Sequence, residues 1–355
     1  MFIALRDLRF AKGRFALLAG VIALMTFMVV MLGGLTAGLG AASISAVDAL
    51  PVGSIAFQQP AGGQDLSFSN STLPSDTVRK LATQPGVHDV HPLGISTTQL
   101  RGPSSTVAVT LLGSDPSMFP PRHSGQAVKA GEVAVTAKLA SDEQLKLGDT
   151  VGVDGQSLRV GAIVKDTSFN HLPVVYTPIA TWQQLTRSDT ITAVGLTLSG
   201  SSPAVVGAAA DVRVVSKDGA FAAVGAYSSE QGSLNLMRAL LVAVSVLIVG
   251  SFFTVWTMQR AGDLAVVRAI GGSRSYLLTD ALGQAAIVLL SGAAAGATFA
   301  ALAGLLAARV VPFLLTVSTV ALPLLAMVAV GLVGAALSVR KVTKIDPLSA
   351  LGAVR

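Results

Sequence analysis

The chain has no cysteine, which excludes disulfides, thiolate metal centres and a thiol nucleophile. Charge is scarce as well. Asp, Glu, Lys and Arg make up 12% of the 355 residues, where a soluble globular chain carries about 25%. That shortage argues against a purely soluble enzyme. Aromatic residues are only 5% of the chain, too few for a base-stacking surface, so a nucleic-acid partner is not expected despite a pI near 9.8. Neither G-x-x-x-x-G-K-[ST] nor G-x-S-x-G occurs, so the sequence carries no phosphate-cradling loop of that kind and no nucleophile elbow. The chain is therefore not expected to be an enzyme or to hydrolyse ATP by itself.

What is present in quantity is apolar sequence, 52% of the chain. Residues 15–47, 239–259, 281–308 and 310–339 contain no Asp, Glu, Lys or Arg. Each is long enough to cross a hydrocarbon core of about 30 Å as a helix. The first is too long for a signal-peptide core and ends in no A-x-A site. Arg309 and Pro312 mark a turn between the last two.

The charges that remain are sorted by segment. The N-terminal stretch, the segment 260–280 and the tail together hold 11 basic and 4 acidic residues, whereas residues 40–232 hold 12 basic and 15 acidic. Basic flanks stay on the cytoplasmic side. Both termini and the 260–280 loop are thus expected inside, with residues 40–232 outside.

The expected organisation is an amphipathic N-terminal helix over 1–14, spans at 15–39, 233–258, 281–308 and 310–339, a cytoplasmic loop at 259–280 and a tail at 340–355. Phe2, Leu5, Leu8 and Phe10 alternate with Arg6, Arg9 and Lys12, a pattern that lies at a bilayer surface. The fold class is a polytopic α-helical membrane protein with an α+β domain inserted between the first and second of four spans. Within 40–232, strand-like runs, the Pro85-Gly86 and Asp154-Gly155 turns and short helical patterns alternate, and two subdomains are expected.

The inserted domain holds His88, His91, His123 and His171; His88 and His91 are three apart, which on a strand places them on opposite faces, so a metal site there is disfavoured and loop histidines are the default reading. Of three glutamates, Glu132 and Glu143 read as surface residues of the inserted domain. Glu230 precedes the second span, and Arg238 lies eight residues deeper, roughly 80° around a helix. Ionisable groups at that depth are costly and often functional. Met25, Met28 and Met31 recur at i, i+3 and i+6 on the first span, and Tyr227 lies close to Glu230 in sequence. The bland alternatives are a headgroup-level Glu230, a snorkelling Arg238 and methionines that merely pack. Leu264, Val267, Arg268 and Ile270 pattern a short amphipathic helix, with Gly271-Gly272 as its terminating turn.

Three stretches resemble one family: RAGDLAVVRAIGGSRSYLLTD at 260–280, KVTKIDPLSALG at 341–352, and the run from GEVAVTAKLA through LKLGDTV, LRVGAIVKDT and HLPVVYTPIATW. The sequence is similar to ABC-transporter permeases of the macrolide-exporter, lipoprotein-release and cell-division type. The resemblance implies a bacterial cytoplasmic-membrane permease, two copies of a separate ABC ATPase that use ATP and Mg, and a homodimer. It implies that Leu264, Val267, Arg268, Ile270, Gly271 and Gly272 dock on that ATPase. Compact size and SFNHLPVVYTPIATWQQL most resemble haem-exporter permeases within the family. The resemblance thus offers haem as the substrate and no cofactor of the chain's own. Glu230 becomes a candidate iron ligand, Arg238 a propionate partner, and Met25, Met28, Met31 and Tyr227 further contacts. Export of another amphiphile, or a signalling permease that regulates a cell-wall hydrolase, remains open.

Overall fold

In a computed structural model of the chain, the residues described are 12–259, 271 and 273–343. Four of its helices are long and apolar enough to cross a membrane. They are α1 (Lys12–Asp48), α7 (Gly225–Gln259), α8 (Arg274–Ala307) and α9 (Val317–Thr343). The chain divides into a membrane unit, residues 1–38 and 232–355, and an inserted unit, residues 39–231. The protein is polytopic, with an α/β domain between the first and second spans.

In the membrane unit, large apolar side chains mostly face outward: Leu17, Leu24, Leu240, Leu247, Leu302 and Leu325 are all more than half exposed. Lipid is as apolar as leucine, so nothing drives these side chains inward. The closest helix contacts are made by small residues. A Cβ on Gly296 would sit 2.2 Å from the Ala23 carbonyl oxygen, and one on Gly292 would sit 2.7 Å from that of Ala19. Phe15, Leu18, Ile22, Val249, Val288 and Leu289 fill the rest of the contact, with Phe15 edge-on to Trp256 at 4.7 Å.

The fourth span begins later than the expected residue 310. Residues 308–316 are turn and extended linker, and the helix starts at Val317. The linker is held by α1: the Leu314 amide donates to the Gly34 carbonyl at 3.1 Å, the Phe313 ring fills the space a Gly34 side chain would take, and the Pro312 carbonyl crosses Gly38. Pro312 has no N–H to contribute to a helix. Gly34 and Gly38 of the first span therefore serve close packing of this linker.

In the inserted unit, α1 continues beyond the expected residue 39 to Asp48. The Lys217 ammonium ends it by donating to the carbonyls of Asp48 at 2.9 Å and Leu50 at 3.2 Å, a favourable place for a cation. The elements that follow are β1 (Ser54–Gln58), β2 (Leu73–Pro74), α2 (Thr77–Ala82), β3 (Val87–Arg101), β4 (Thr106–Ser114), β5 (Arg122–Gly125), β6 (Glu132–Thr136), α3 (Ala137–Asp142), β7 (Thr150–Val153) and β8 (Gln156–Val164). Then come β9 (Ser168–Phe169), β10 (Leu172–Pro178), α4 (Ile179–Thr186), β11 (Thr190–Ile191), β12 (Ala193–Leu198), α5 (Pro203–Ala210), β13 (Val212–Ser216) and α6 (Lys217–Ala220).

One eleven-stranded sheet runs β13-β1-β12-β3-β4-β10-β6-β8-β5, with β7 pairing β3 and β8, and β9 pairing β10. The β10–β4 and β6–β8 pairs are parallel and the others antiparallel. The two expected subdomains are thus joined in a single sheet. The 15-residue β3 is the joint: its first half pairs β12 and its second half pairs β4 and β7.

Gly94 and Gly113 lie opposite each other on β3 and β4, and the Trp182 side chain occupies the space in which either would place a Cβ. Its indole N–H reaches Ser96 Oγ at 3.1 Å. Tyr176, fully buried on β10, shares a 2.6 Å hydrogen bond with Thr167 Oγ1. Burial drives its hydroxyl pKa far above the ordinary value, and the Thr167 bond offsets only part of that rise. Glu143 is not the surface residue its sequence suggested. It is 7% exposed and accepts a hydrogen bond from Ser105 Oγ at 2.7 Å, in keeping with the rule that a buried carboxylate needs a donor.

Candidate functional site

Glu230 lies in the second turn of α7, and its environment is built by a hairpin. Strands β9 and β10 are joined by two residues, Asn170 (φ 49°) and His171 (φ 64°). Two successive left-handed residues are the signature of a type I′ turn, and asparagine tolerates that conformation well.

The tip of this hairpin docks on two helices. The amides of Asn170 and His171 donate to the carbonyls of Ser43 and Ala42, each at 3.0 Å. Ser45 Oγ accepts from the Ser168 amide at 2.8 Å. Asn170 Oδ1 accepts from the Ala226 amide at 3.1 Å, satisfying one of the unpaired donors at the start of α7.

His171 completes the arrangement. Its Nε2 lies 2.8 Å from Glu230 Oε1 and 3.1 Å from Ser43 Oγ. With the carboxylate ionised, a contact that short places the ring proton on Nε2, donated to Glu230. Both side chains of this pair are 32% exposed. The other carboxylate oxygen, Oε2, is fully covered and has no hydrogen-bond partner. A carboxylate with one oxygen bonded and one covered but unpaired is under-satisfied. Leaving a buried acceptor in that state costs about 1–3 kcal/mol.

Because serine and glutamate share one ring nitrogen, the three side chains do not form a relay of the Ser-His-acid type, which needs both nitrogens. Among the described residues there is no group of three or more His, Asp or Glu residues that could hold a metal ion.

Tyr227 lies one turn before Glu230, half-buried against Phe221 at a ring separation of 6.1 Å, with its ring edge over Gly40. Its hydroxyl has no role in the Glu230 contacts. Arg238, Met25, Met28 and Met31 belong to the membrane unit. Arg238 is half-buried and has no ion pair among the described residues. Met28 is 43% exposed on α1, while Met25 and Met31 are half-buried.

Of the expected ATPase-docking residues, Gly271 is an exposed turn residue with φ +101°, a conformation that suits glycine. Leu264, Val267, Arg268, Ile270 and Gly272 lie outside the described residues, as does most of the amphipathic N-terminal segment.

The other histidines are elsewhere in the sheet. His91 Nδ1 lies 2.7 Å from Asp115 Oδ2, and His88 and His123 are exposed. Sequence reasoning missed His171 as the partner of Glu230. The Asn-His dipeptide between two short apolar runs signals a two-residue hairpin, but nothing in it reveals a carboxylate 59 positions away.

Comparison with known proteins identifies the family. Residues 15–213 match the model of the MacB-like periplasmic core domain. Residues 235–347 match that of the FtsX-like permease C-terminal region. A protein of Staphylococcus epidermidis, provisionally named a hemin transport system permease, is 26% identical over 355 residues, with 99% of each chain covered. A Mycobacterium tuberculosis protein described only as an uncharacterised ABC transporter permease is 29% identical over 364 residues, also with 99% of each chain covered. The periplasmic region of MacB from Actinobacillus actinomycetemcomitans aligns with 48% of this chain and 92% of its own at 15% identity and a TM-score of 0.37, too distant a likeness to bear on the site. With one family model spanning more than half of its length and a second covering the remaining spans, the chain belongs to the ABC-transporter permeases of the MacB/FtsX family.

Proposed function

We propose that this permease is the membrane subunit of an efflux pump that takes haem from the outer leaflet of the cytoplasmic membrane and expels it, driven by a separate ATPase. The observation that carries the reading is the under-satisfied carboxylate of Glu230 at the start of the second span. Haem is flat and apolar, carries two carboxylates and partitions into a bilayer. A carboxylate oxygen can ligate ferric iron, and an arginine such as Arg238 can pair with a propionate. Met28 offers a polarizable contact that adapts to a flat ligand, and Met25, Met31 and Tyr227 are the further candidate contacts. The resemblance in length and sequence to proteins provisionally named hemin transport permeases supports the same substrate.

Two copies of the chain with two ATPase subunits would act together, because ATP is hydrolysed between paired ATPases in this transporter class. Both termini and the 260–280 loop would be cytoplasmic, with the 264–272 segment gripping the ATPase and the inserted domain outside. Closure of the ATPase pair would draw the spans together and squeeze the cargo outward without a water-filled path.

Glu230→Ala in the purified permease–ATPase complex is expected to weaken haem binding at least tenfold and to shift the Soret band. Unchanged affinity and spectrum would remove Glu230 from the site. One observation favours a broader reading, export of another amphiphile: Glu230 already has a partner in His171. Titrating the detergent-solubilised complex with haem separates the two readings, since a pump for a different amphiphile would show no saturable Soret change.

A further inference from the structure

The bond between His171 and Glu230 has a consequence for release. Of the two Glu230 oxygens, Oε2 is covered and Oε1 carries the His171 bond, so a cargo that takes this carboxylate meets His171 at the same atom. Loading draws electron density from Oε1 and weakens or displaces the His171 bond, and emptying restores it. We propose that His171 is a positioning residue for release: it competes with the cargo for Glu230 and recaptures the carboxylate as the cargo leaves. The inference rests on the proposed role of Glu230 in holding haem.

The physical argument concerns where the carboxylate goes once its ligand is removed. A carboxylate near a membrane interface that loses one partner without gaining another carries a desolvation penalty. That penalty would hold the cargo in place. A donor waiting at 2.8 Å removes it.

His171 is well placed for this task because the turn, not the ring, bears the structural load. Its backbone and that of Asn170 are fixed by bonds to Ala42 and Ser43, and Asn170 anchors Ala226. The ring can therefore lose Glu230 without losing the hairpin. Ser43 Oγ, 3.1 Å from Nε2, keeps the imidazole oriented while Glu230 is away. The single hydrogen bond on Glu230 also makes the hold weak enough to break, since Oε2 contributes nothing to it.

Loss of the competitor has a signature that simple damage to the site does not. In the full permease–ATPase complex reconstituted in lipid, His171→Asn retains a residue suited to the left-handed turn, while its shorter side chain draws the N–H donor back from Glu230. We expect it to bind haem about tenfold tighter, the scale of one hydrogen bond to a charged group, while ATP-driven release slows several-fold. KM and kcat should thus fall together. His171→Gln, which restores a longer side-chain N–H donor, should move both values back toward the native ones.

Native or weaker haem affinity in His171→Asn, with Glu230→Ala still impairing binding, would overturn the release role and leave the haem reading standing. Unchanged binding in Glu230→Ala would instead overturn the haem site itself. A second measurement needs no substitution at the pair. The chain has four histidines, so a complex assembled from 15N-histidine-labelled permease and unlabelled ATPase gives a resolvable set of imidazole signals. Loading with diamagnetic gallium protoporphyrin should shift the Nε2 resonance of His171, and an unshifted resonance would overturn the exchange.

Discussion

The membrane unit and the inserted domain use apolar residues in opposite ways. In the inserted domain the largest side chains are the most hidden: Tyr176, Phe57, Leu93 and Leu112 are fully buried, because water drives them inward. In the membrane unit most large apolar side chains lie on the outside, because lipid exerts no such drive, and the closest helix contacts are made at Gly292 and Gly296 beside a small set of buried residues such as Leu18 and Leu289. One region is held by what it buries and the other by how closely its backbones approach. Substitutions of the same size should therefore have opposite consequences in the two.

The largest effect is expected from Trp182→Ala. The paired glycines of β3 and β4 leave a slot that only a large ring fills, so truncation should cost about 3–5 kcal/mol, read as a fall in the thermal midpoint of the purified chain. If the midpoint does not move, the slot does not bear on stability.

Enlargement should be the damaging change in the membrane unit. Gly296→Leu meets the Ala23 backbone and is expected to destabilise the bundle by about 1–3 kcal/mol, seen as reduced recovery of folded protein in detergent. Leu240→Ala, a large truncation at an exposed position, should cost almost nothing in the same assay. Equal losses in these two variants would erase the contrast between the regions.

The smallest effect concerns pH. The native fold holds the Tyr176 proton more tightly than the unfolded chain does, since burial raises its pKa above 10.0. The stability this provides is fully present below pH 10.0 and is lost as the pH climbs beyond it. Tyr176→Phe should be less stable than the native chain at neutral pH by about 1 kcal/mol, with a shallower decline in alkali. Parallel decline in the two proteins would exclude Tyr176 as the alkaline-sensitive group.

Much of the architecture was legible without coordinates, for reasons that differ by segment. Uncharged runs reveal spans because bilayer thickness sets their length. Short helical patterns were legible within 40–232 as well, and α2 and α3 bury Leu81 and Leu139 there. Glu143 and the start of the fourth span were misread for one shared reason. Ser105 accounts for the first and the Gly34 carbonyl for the second, and both partners are remote in sequence.

The candidate site divides along the same line. That Glu230 is an unusual residue was evident from its position at the head of an apolar run in a chain with three glutamates. That it has a histidine partner was not.

Sequence alone determined the four apolar spans and the place of the inserted domain, because these depend on composition local to each stretch of the chain. Only the tertiary structure decided which atoms Glu230 faces. A hairpin tip has to be folded back onto two helices before Asn170 and His171 can meet Ala42, Ser43, Ala226 and Glu230, and contacts across such separations leave no periodicity in the residues that make them.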